Sequence, residues 1–532
     1  MSKREDSLQR WWRGAVLYEI YPISFCDSDG DGWGDLGGVR ARVDHIARLG
    51  VDAVWLTPVH PSPRDDFGYD STNFTDVDPL LGDLAGFDAL VQAFHDAGIR
   101  VLLDQVYSHT SHRHPWFIDS RENPGGPHGD WYVWADARPD GSPPNNWQSM
   151  FGGSAWHWDH VRCQYYLSHF YPSMPHLNSR LPAVQDQLLD TARFWLERGV
   201  DGFRFDVANL YQHDALLRDN PAKPWEPPLR SPKEAQHCIH DYSQPENLAF
   251  VSRIRAVLDA YPGATSLAEL TSDMAQAHVL DYVRQPDRFD TVYRVLAEAE
   301  PFTVDSVRRQ VLAWQEDGVW PTWCVSNHDI VRGVTRCFGS DAPPAAAGLL
   351  VGLLACLRGN MLLFQGDELG LHHGDVPREA LRDPEGIRSW PHGLRRDGAR
   401  TPMPWSAGSP NLGFSAAAPW MWIDPRHRVQ AVDLQEADAG SVLAETRRWI
   451  AARRGHPALR HGDIRFLAAP DTLLRFVRTT SSQQLECLFN FGPDPVTLDL
   501  DPAHPTIECS RMRRDGGAIT LDGYGACIVR IA

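Results

Sequence analysis

At 532 residues the chain exceeds one ordinary domain, and a composition of 42% hydrophobic and 23% charged residues suits a large globular core. A net charge of −18, from 51 basic and 69 acidic residues, argues against nucleic acid or an anionic membrane surface as the partner. The nine cysteines include no C-x-x-C pair, which excludes a disulfide framework or a zinc site, and no apolar run is long enough to span a membrane.

The N-terminal MSKREDSLQRWW lacks the apolar centre of a signal peptide, so a cytoplasmic location is expected. The 20 Trp and 40 Pro residues suit a loop-rich enzyme that offers aromatic faces to sugars, although Trp is ordinarily a core residue.

In chain order, one pattern recurs: amphipathic helix, glycine, apolar strand. A first strand is expected over 16–21. A helix over 39–49 ends at Gly50, ahead of a strand over 51–56. Phe87, Leu90, Val91 and Phe94 form a helical stripe that stops at Gly98, before a strand over 99–104. Val184, Leu188, Ala192, Trp195 and Leu196 form another, stopped by Gly199 before a strand over 202–206. Leu248, Val251 and Leu258 lead through Pro262-Gly263 to a strand over 264–269. Further apolar strands are expected over 322–326 and 361–365. This alternation indicates a parallel α/β sheet, and the count suits an eight-stranded (β/α)8 TIM barrel. The pattern fails between 105 and 179, read as a loop-rich domain inserted after strand three, and again over 371–433. From about 456 short alternating runs predict an antiparallel β domain, expected to form a sandwich. The expected division is 1–104 with 180–455 as the catalytic barrel, 105–179 as the insert and 456–532 as the C-terminal domain.

Several residues in this frame can carry chemistry. Asp27, Asp29, Asp31 and Asp35 alternate with glycines after the first strand. With the Trp33 carbonyl they could converge on Ca²⁺, a cation that prefers such hard oxygens; otherwise the loop is a solvated acidic turn. Gly38 stands where an EF-hand has its final Glu, so the loop is not an EF-hand. Asp104 ends the third expected strand and His109 follows just beyond. On the strand over 202–206, Arg204 and Asp206 point the same way, and the guanidinium is expected to keep the carboxylate ionised and nucleophilic, unless the pair is a plain core salt bridge. Glu269 ends the next strand in an apolar setting that suits a general acid. Asp329, in Asn327-His328-Asp329, ends another. Three carboxyls at the C-terminal ends of three apolar strands match the acid-plus-nucleophile arrangement of retaining glycosidases.

In that order, Asp104 with His109, Gly202-Phe203-Arg204-Phe205-Asp206, Glu269 and Asn327-His328-Asp329 resemble the alpha-amylase superfamily of glycoside hydrolases. Within it the chain is similar to the bacterial alpha-glucosidase and oligo-1,6-glucosidase group, from Trp11 to about Trp422. The resemblance implies Asp206 as nucleophile, Glu269 as acid/base and Asp329 as transition-state stabiliser. His109, Arg204 and His328 would contact the non-reducing glucose. Asp66 and Tyr69 would grip its 4-hydroxyl and ring face, closing the pocket for exo action, and Arg400 would be a further sugar-binding arginine. The loop of Asp27, Asp29, Asp31, Trp33 and Asp35 matches the group's calcium loop. The chain departs from the pattern at Ile330-Val331, at His176 where relatives have Asp, and at Val207, which tilts the expectation toward α-1,6 over α-1,4 linkages.

The expected protein is thus a retaining exo-alpha-glucosidase of short alpha-glucosides, a monomer or homodimer with structural calcium. One rival is a glucosyltransferase or disaccharide isomerase working through the same covalent intermediate. The other is a non-catalytic sugar-binding or partner protein, which would ordinarily lack the carboxylates. The irregular stretch over 220–243 is expected near the acceptor side.

Overall fold

The computed structural model describes residues 10–224, 232–271, 276–298, 300–315 and 318–531. The N-terminal residues 1–9, on which the targeting expectation rests, and residues 225–231 of the acceptor-side stretch lie outside the described residues.

Eight parallel strands close into a barrel: β1 (Val16–Ile20), β2 (Ala53–Leu56), β3 (Arg100–Gln105), β4 (Gly202–Phe205), β5 (Thr265–Ala268), β6 (Thr291–Val295), β7 (Thr322–Cys324) and β8 (Asn360–Phe364). Each pairs with the next, and β8 returns to β1 through Val16–Met361 and its neighbours. Alternate residues divide the strands between two cores. Leu17, Ala53, Trp55, Leu102, Leu267, Tyr293, Cys324 and Leu362 fill the barrel interior. Val54, Leu56, Val101, Leu103, Phe203, Phe205 and Ala268 face the helical layer.

The helices pack on that outer layer through the stripes read from the sequence. Phe87, Leu90, Val91 and Phe94 are buried on Leu84–Asp96, and Val184, Leu188, Ala192, Trp195 and Leu196 on Pro182–Glu197. The chain leaves these helices through left-handed glycines, as at Gly50 (φ 83°) and Gly199 (φ 95°), which is why the punctuation was legible. Two expectations change. The helix over 39–49 is two, Leu36–Ala41 and Val43–Leu49, broken at Arg42. Strand β6 was not foreseen, because among the described residues between β5 and β6 only the six-residue helix Gln276–Asp281 precedes it, and Arg294 interrupts its apolar run.

Between β3 and β4 the chain leaves the barrel and builds a small antiparallel sheet from Trp134–Ala135, Gln164–Leu167 and Trp156–Asp159, with Val133, Trp147, Ala155, Trp156 and Leu167 beneath it. After helix Val442–Gly455, six antiparallel strands follow: β9 (Asp463–Phe466), β10 (Leu473–Thr479), β11 (Gln484–Asn490), β12 (Val496–Asp499), β13 (Thr506–Asp515) and β14 (Ala518–Arg530). The expected sandwich is hydrogen-bonded as one sheet joined through β14, which pairs with β11, β12 and β13. One face, with Leu474, Phe476, Leu485, Phe489 and Ile528, merges with the main core; the other, with Leu473, Leu488, Ile519 and Leu521, forms its own. All nine cysteines are free thiols, and among the described residues no helix is long and apolar enough to cross a membrane.

Candidate active site

The inward row of the barrel strands changes character at its C-terminal end. Leu17 gives way to Glu19, Leu102 to Asp104 and Leu267 to Glu269, each two residues on and therefore on the same side. Above this polar layer lies a cavity of about 340 Å³ whose walls include Asp66, Tyr69, His109, Asp206, Glu269, Asp329 and Arg396. This is the face on which barrel enzymes keep their sites.

Arg204, which the resemblance placed against the glucose, does not line the cavity but lies beneath it, fully buried. Its Nη1 donates to both Asp104 oxygens at 2.8 Å and to Asp206 Oδ1 at 2.7 Å, and its Nη2 donates to Glu269 Oε2. The guanidinium lies over the Trp55 ring, 4.9 Å from its centroid. Asp104 also accepts from Trp55 Nε1 and Tyr69 Oη. Arg204 pulls Asp206 toward ionisation, as expected, but it is not the only influence. One guanidinium serves three carboxylates, so burial and the nearby Glu269, Asp104 and Asp329 push the Asp206 carboxyl well up against its pull. Protons leave such a crowd as a set rather than from one residue.

The β4–β5 ladder continues past both strands, with Glu269 N donating to the Phe205 carbonyl and Ala208 N to the Glu269 carbonyl. This brings Asp206 and Glu269 side by side. Val207 between them is left-handed (φ 35°, ψ 50°), an unusual state for a β-branched residue, and points its N–H at Glu269 Oε2, 3.2 Å away. Tyr293 Oη donates to Glu269 Oε1 at 2.6 Å. Sequence reasoning missed Tyr293 along with its strand.

Asp329 is held differently. It receives Arg400 Nη2 at 2.6 Å and Arg396 Nη1 at 3.3 Å, and His328 Nε2 lies 3.3 Å from its other oxygen. Burial opposes ionisation, but His328, Arg396 and Arg400 outweigh it and hold the carboxyl well below the usual range. His328 donates Nδ1–H to Glu19 Oε1 at 2.6 Å and is stacked between Tyr21 and Tyr69. Burial lowers its pKa, but Asp329 and Glu19 raise it further, to about 9. A group raised from 6.5 to about 9 stabilises the fold fully below pH 6.5, and that contribution is lost as pH rises through 9. The Tm advantage of the wild type over His328→Gln should therefore shrink between those two pH values. A constant difference in a pH series of melts would show that the ring is neutral.

His109 donates Nε2–H to the Tyr69 carbonyl at 3.1 Å, with Ser108 Oγ 2.8 Å from Nδ1; burial pushes its pKa down to about 4, so it is a neutral donor. Asp66 accepts from Arg396 Nη2 at 2.8 Å. The arginine on the cavity wall is thus Arg396. Arg400, which sequence reasoning placed against the sugar, lies behind Asp329 with its Nε on the His328 carbonyl and is only 1% exposed. The turn Arg396–Gly398 separates the two, a local geometry that no periodicity announces. Of the acceptor-side stretch, Lys233 and Glu234 reach the cavity wall, as do Ile330 and Val207, while His176 is buried beside His169.

In the acidic loop, Asp27, Asp29 and Asp35 bring one carboxylate oxygen each within 4.8 Å of one another. Asp31 stands outside this group and accepts from Trp33 N at 2.7 Å. Asp35 also caps helix Leu36–Ala41 by accepting from Gly38 N. A donor set of oxygens alone fits a hard cation such as Ca²⁺.

Residues 19–462 match the alpha-amylase catalytic domain family. The chain is 47% identical to a probable alpha-glucosidase of Rhizobium meliloti (strain 1021), covering 92% of this chain and 91% of the relative. It is 32% identical to an oligo-1,6-glucosidase of Parageobacillus thermoglucosidasius, over 91% and 90% of the two chains. A crystal structure of an alpha-glucosyl transfer enzyme superposes with a TM-score of 0.93 at 45% identity, over 98% of this chain and 99% of that one. The chain belongs to the alpha-amylase family and, within it, to the alpha-glucosidase group of glycoside hydrolases.

Proposed function

We propose that the protein is a retaining, exo-acting alpha-glucosidase that releases glucose from the non-reducing end of short alpha-glucosides. The observation that carries this reading is the single Arg204 guanidinium bridging Asp206 and Glu269 beneath a cavity walled by Asp66 and Arg396. One guanidinium between two carboxylates suits the separation of about 5–5.5 Å used by retaining enzymes. Asp206 attacks the anomeric carbon while Glu269, the more exposed of the two side chains, gives its proton to the departing glycosidic oxygen. Glu269, now ionised, takes a proton from water, whose oxygen displaces Asp206 from carbon. Asp329, kept ionised by His328, Arg396 and Arg400, stabilises the oxocarbenium-like transition state. Asp66, Tyr69, His109 and Arg396 hold the glucose, and Arg204, His328 and Arg400 hold the groups that touch it. The proposal includes a cytoplasmic enzyme, alone or as a homodimer.

Val207, beside the leaving-group position, supports α-1,6 over α-1,4 cleavage. The preference is modest, since one methyl in a pocket wall discriminates by about 1–3 kcal/mol. Transfer to an acceptor sugar or alcohol is the second reading, favoured by the apolar lining of Met150, Phe151, Ile330 and Leu394 and by the likeness to the transfer enzyme. Equal concentrations of maltose, isomaltose, sucrose and trehalose, followed by product mass balance, separate the two. Hydrolysis yields all the glucose that the broken bonds account for, with isomaltose ahead of maltose. A shortfall of free glucose identifies transfer or isomerisation, and no cleavage of any of them sinks the glycosidase reading.

Asp27, Asp29 and Asp35 would hold a calcium ion that ties the loop after β1 to the following helix. Chelation should lower Tm by several degrees, and Ca²⁺ but not Mg²⁺ should restore it. An unchanged Tm would leave the loop as a self-bonded acidic turn.

A further inference from the structure

Arg396 makes contacts on two sides. Toward the cavity, Nη2 reaches Asp66 Oδ1 at 2.8 Å and Nη1 reaches Asp329 Oδ1 at 3.3 Å. Away from it, Nε donates to Asp383 Oδ2 at 2.9 Å and Nη2 to Asp383 Oδ1 at 2.7 Å. A side-on, two-bond pair of this kind fixes the guanidinium plane as well as its position. Asp383 is fully buried and takes no part in lining the cavity. It is anchored in turn: Tyr171 Oη, from the inserted region, donates to Oδ1 at 2.8 Å, and the Asp383 N–H is held by Asp397 at 3.1 Å. Tyr171 Oη also accepts from Arg396 Nη2 and from Glu385 N. The Phe151 ring covers the guanidinium, 4.7 Å from its carbon.

We infer that Asp383, braced by Tyr171, is the positioning residue that aims Arg396 at Asp66 and Asp329 and so sets the glucose-binding end of the cavity. Without it, two cavity carboxylates compete for a guanidinium that is free to turn about its Cδ–Nε bond. The Arg396 contact with Asp66, made nowhere else by an arginine hydrogen bond among the described residues, would loosen first. Asp329 keeps Arg400 and His328, so glucose binding should suffer more than turnover. Asp383 also carries the charge that this role requires, since burial opposes its ionisation but Arg396 overrides it and holds the carboxyl down to about 2. The inference rests on the proposed reading of this cavity as the glucose pocket.

A double-mutant cycle with Asp383→Asn, Arg396→Lys and the pair tests it, using p-nitrophenyl α-glucoside as substrate and glucose as product inhibitor. Asp383→Asn should raise KM and the glucose inhibition constant together by about tenfold, with kcat changed by less than about threefold. The double variant should be no worse than Arg396→Lys alone, because both act through one group. Multiplying losses, or a fall in kcat and Tm with KM unchanged, would make Asp383 a purely structural residue and overturn the inference. If Arg396→Lys raises KM but Asp383→Asn does not, positioning fails and the pocket reading survives. If Arg396→Lys also leaves KM and glucose inhibition unchanged, the pocket reading falls and the inference with it. Should Asp383→Asn not fold, Tyr171→Phe carries the test: it should shift both constants the same way by about threefold, and an unchanged pair overturns the inference.

Discussion

Asp206→Asn should lower kcat/KM on a small alpha-glucoside by about four orders of magnitude or more while leaving Tm equal to or above that of the wild type. The two halves of this result have one cause. The amide keeps the shape of the carboxylate and an oxygen that can accept from Arg204 Nη1, which lies 2.7 Å from the native carboxylate. It cannot form the glucosyl ester, so covalent turnover stops. It also removes one of three carboxylates that share a single guanidinium, together with the burial that pushes the Asp206 carboxyl up. Active-site groups held against their own ionisation are a store of instability, and neutralising them relieves it. Activity and melting are measured on the same preparation. Activity within about tenfold of the wild type would show that Asp206 is not the nucleophile. A large fall in Tm would show that Asp206 is a stabilising ion-pair partner, the plain core salt bridge that the sequence left open.

Much of the fold was legible because helix, glycine and apolar strand repeat with little interruption. The stripe from Phe87 to Phe94 and the left-handed Gly50 and Gly199 carry the information locally. Strand β6 escaped because no such punctuation precedes it, and Tyr293, which donates to Glu269, was lost with it. The carboxyls at strand ends were legible for a related reason: a charged residue two places beyond an inward apolar one has little to do except face the barrel mouth. The partners of those carboxyls were not. Whether Arg396 or Arg400 meets Asp66 depends on a turn within residues 396–398 and on Asp383 thirteen residues upstream, a tertiary arrangement without any periodic signature. The sharing of Arg204 among Asp104, Asp206 and Glu269 was hidden similarly, since it joins three strands at one height of a closed barrel.

That sharing leads to the largest expected loss of stability. Arg204→Met keeps most of the side-chain volume over Trp55 and removes only the charge and its donors. Asp104 is fully buried and would keep the Trp55 and Tyr69 donors but no cation in hydrogen-bond contact, while Asp206 and Glu269 would face each other with Tyr293 and the Val207 N–H as remaining donors. Removing one partner of a buried ion pair and leaving the other charged costs about 3–5 kcal/mol. The variant should melt well below the wild type at neutral pH and be inactive. Its pH dependence identifies the cause. Burial already holds the Asp104 and Asp206 carboxyls above their ordinary values, and losing the cation raises these two further. A carboxyl raised in this way favours the fold below the unfolded pKa, near 4, and that contribution is lost as pH climbs through the folded value. The Tm gap between Arg204→Met and the wild type should therefore narrow toward pH 4.5 and widen toward pH 7.5. A further Asp104→Asn change should restore part of the neutral-pH loss, because it removes the most deeply buried unpaired charge. A gap that stays the same across pH, or no rescue by Asp104→Asn, would place the loss in packing against Trp55 rather than in charge. Arg204 would then be a spacer between strands and not the electrostatic centre of the site.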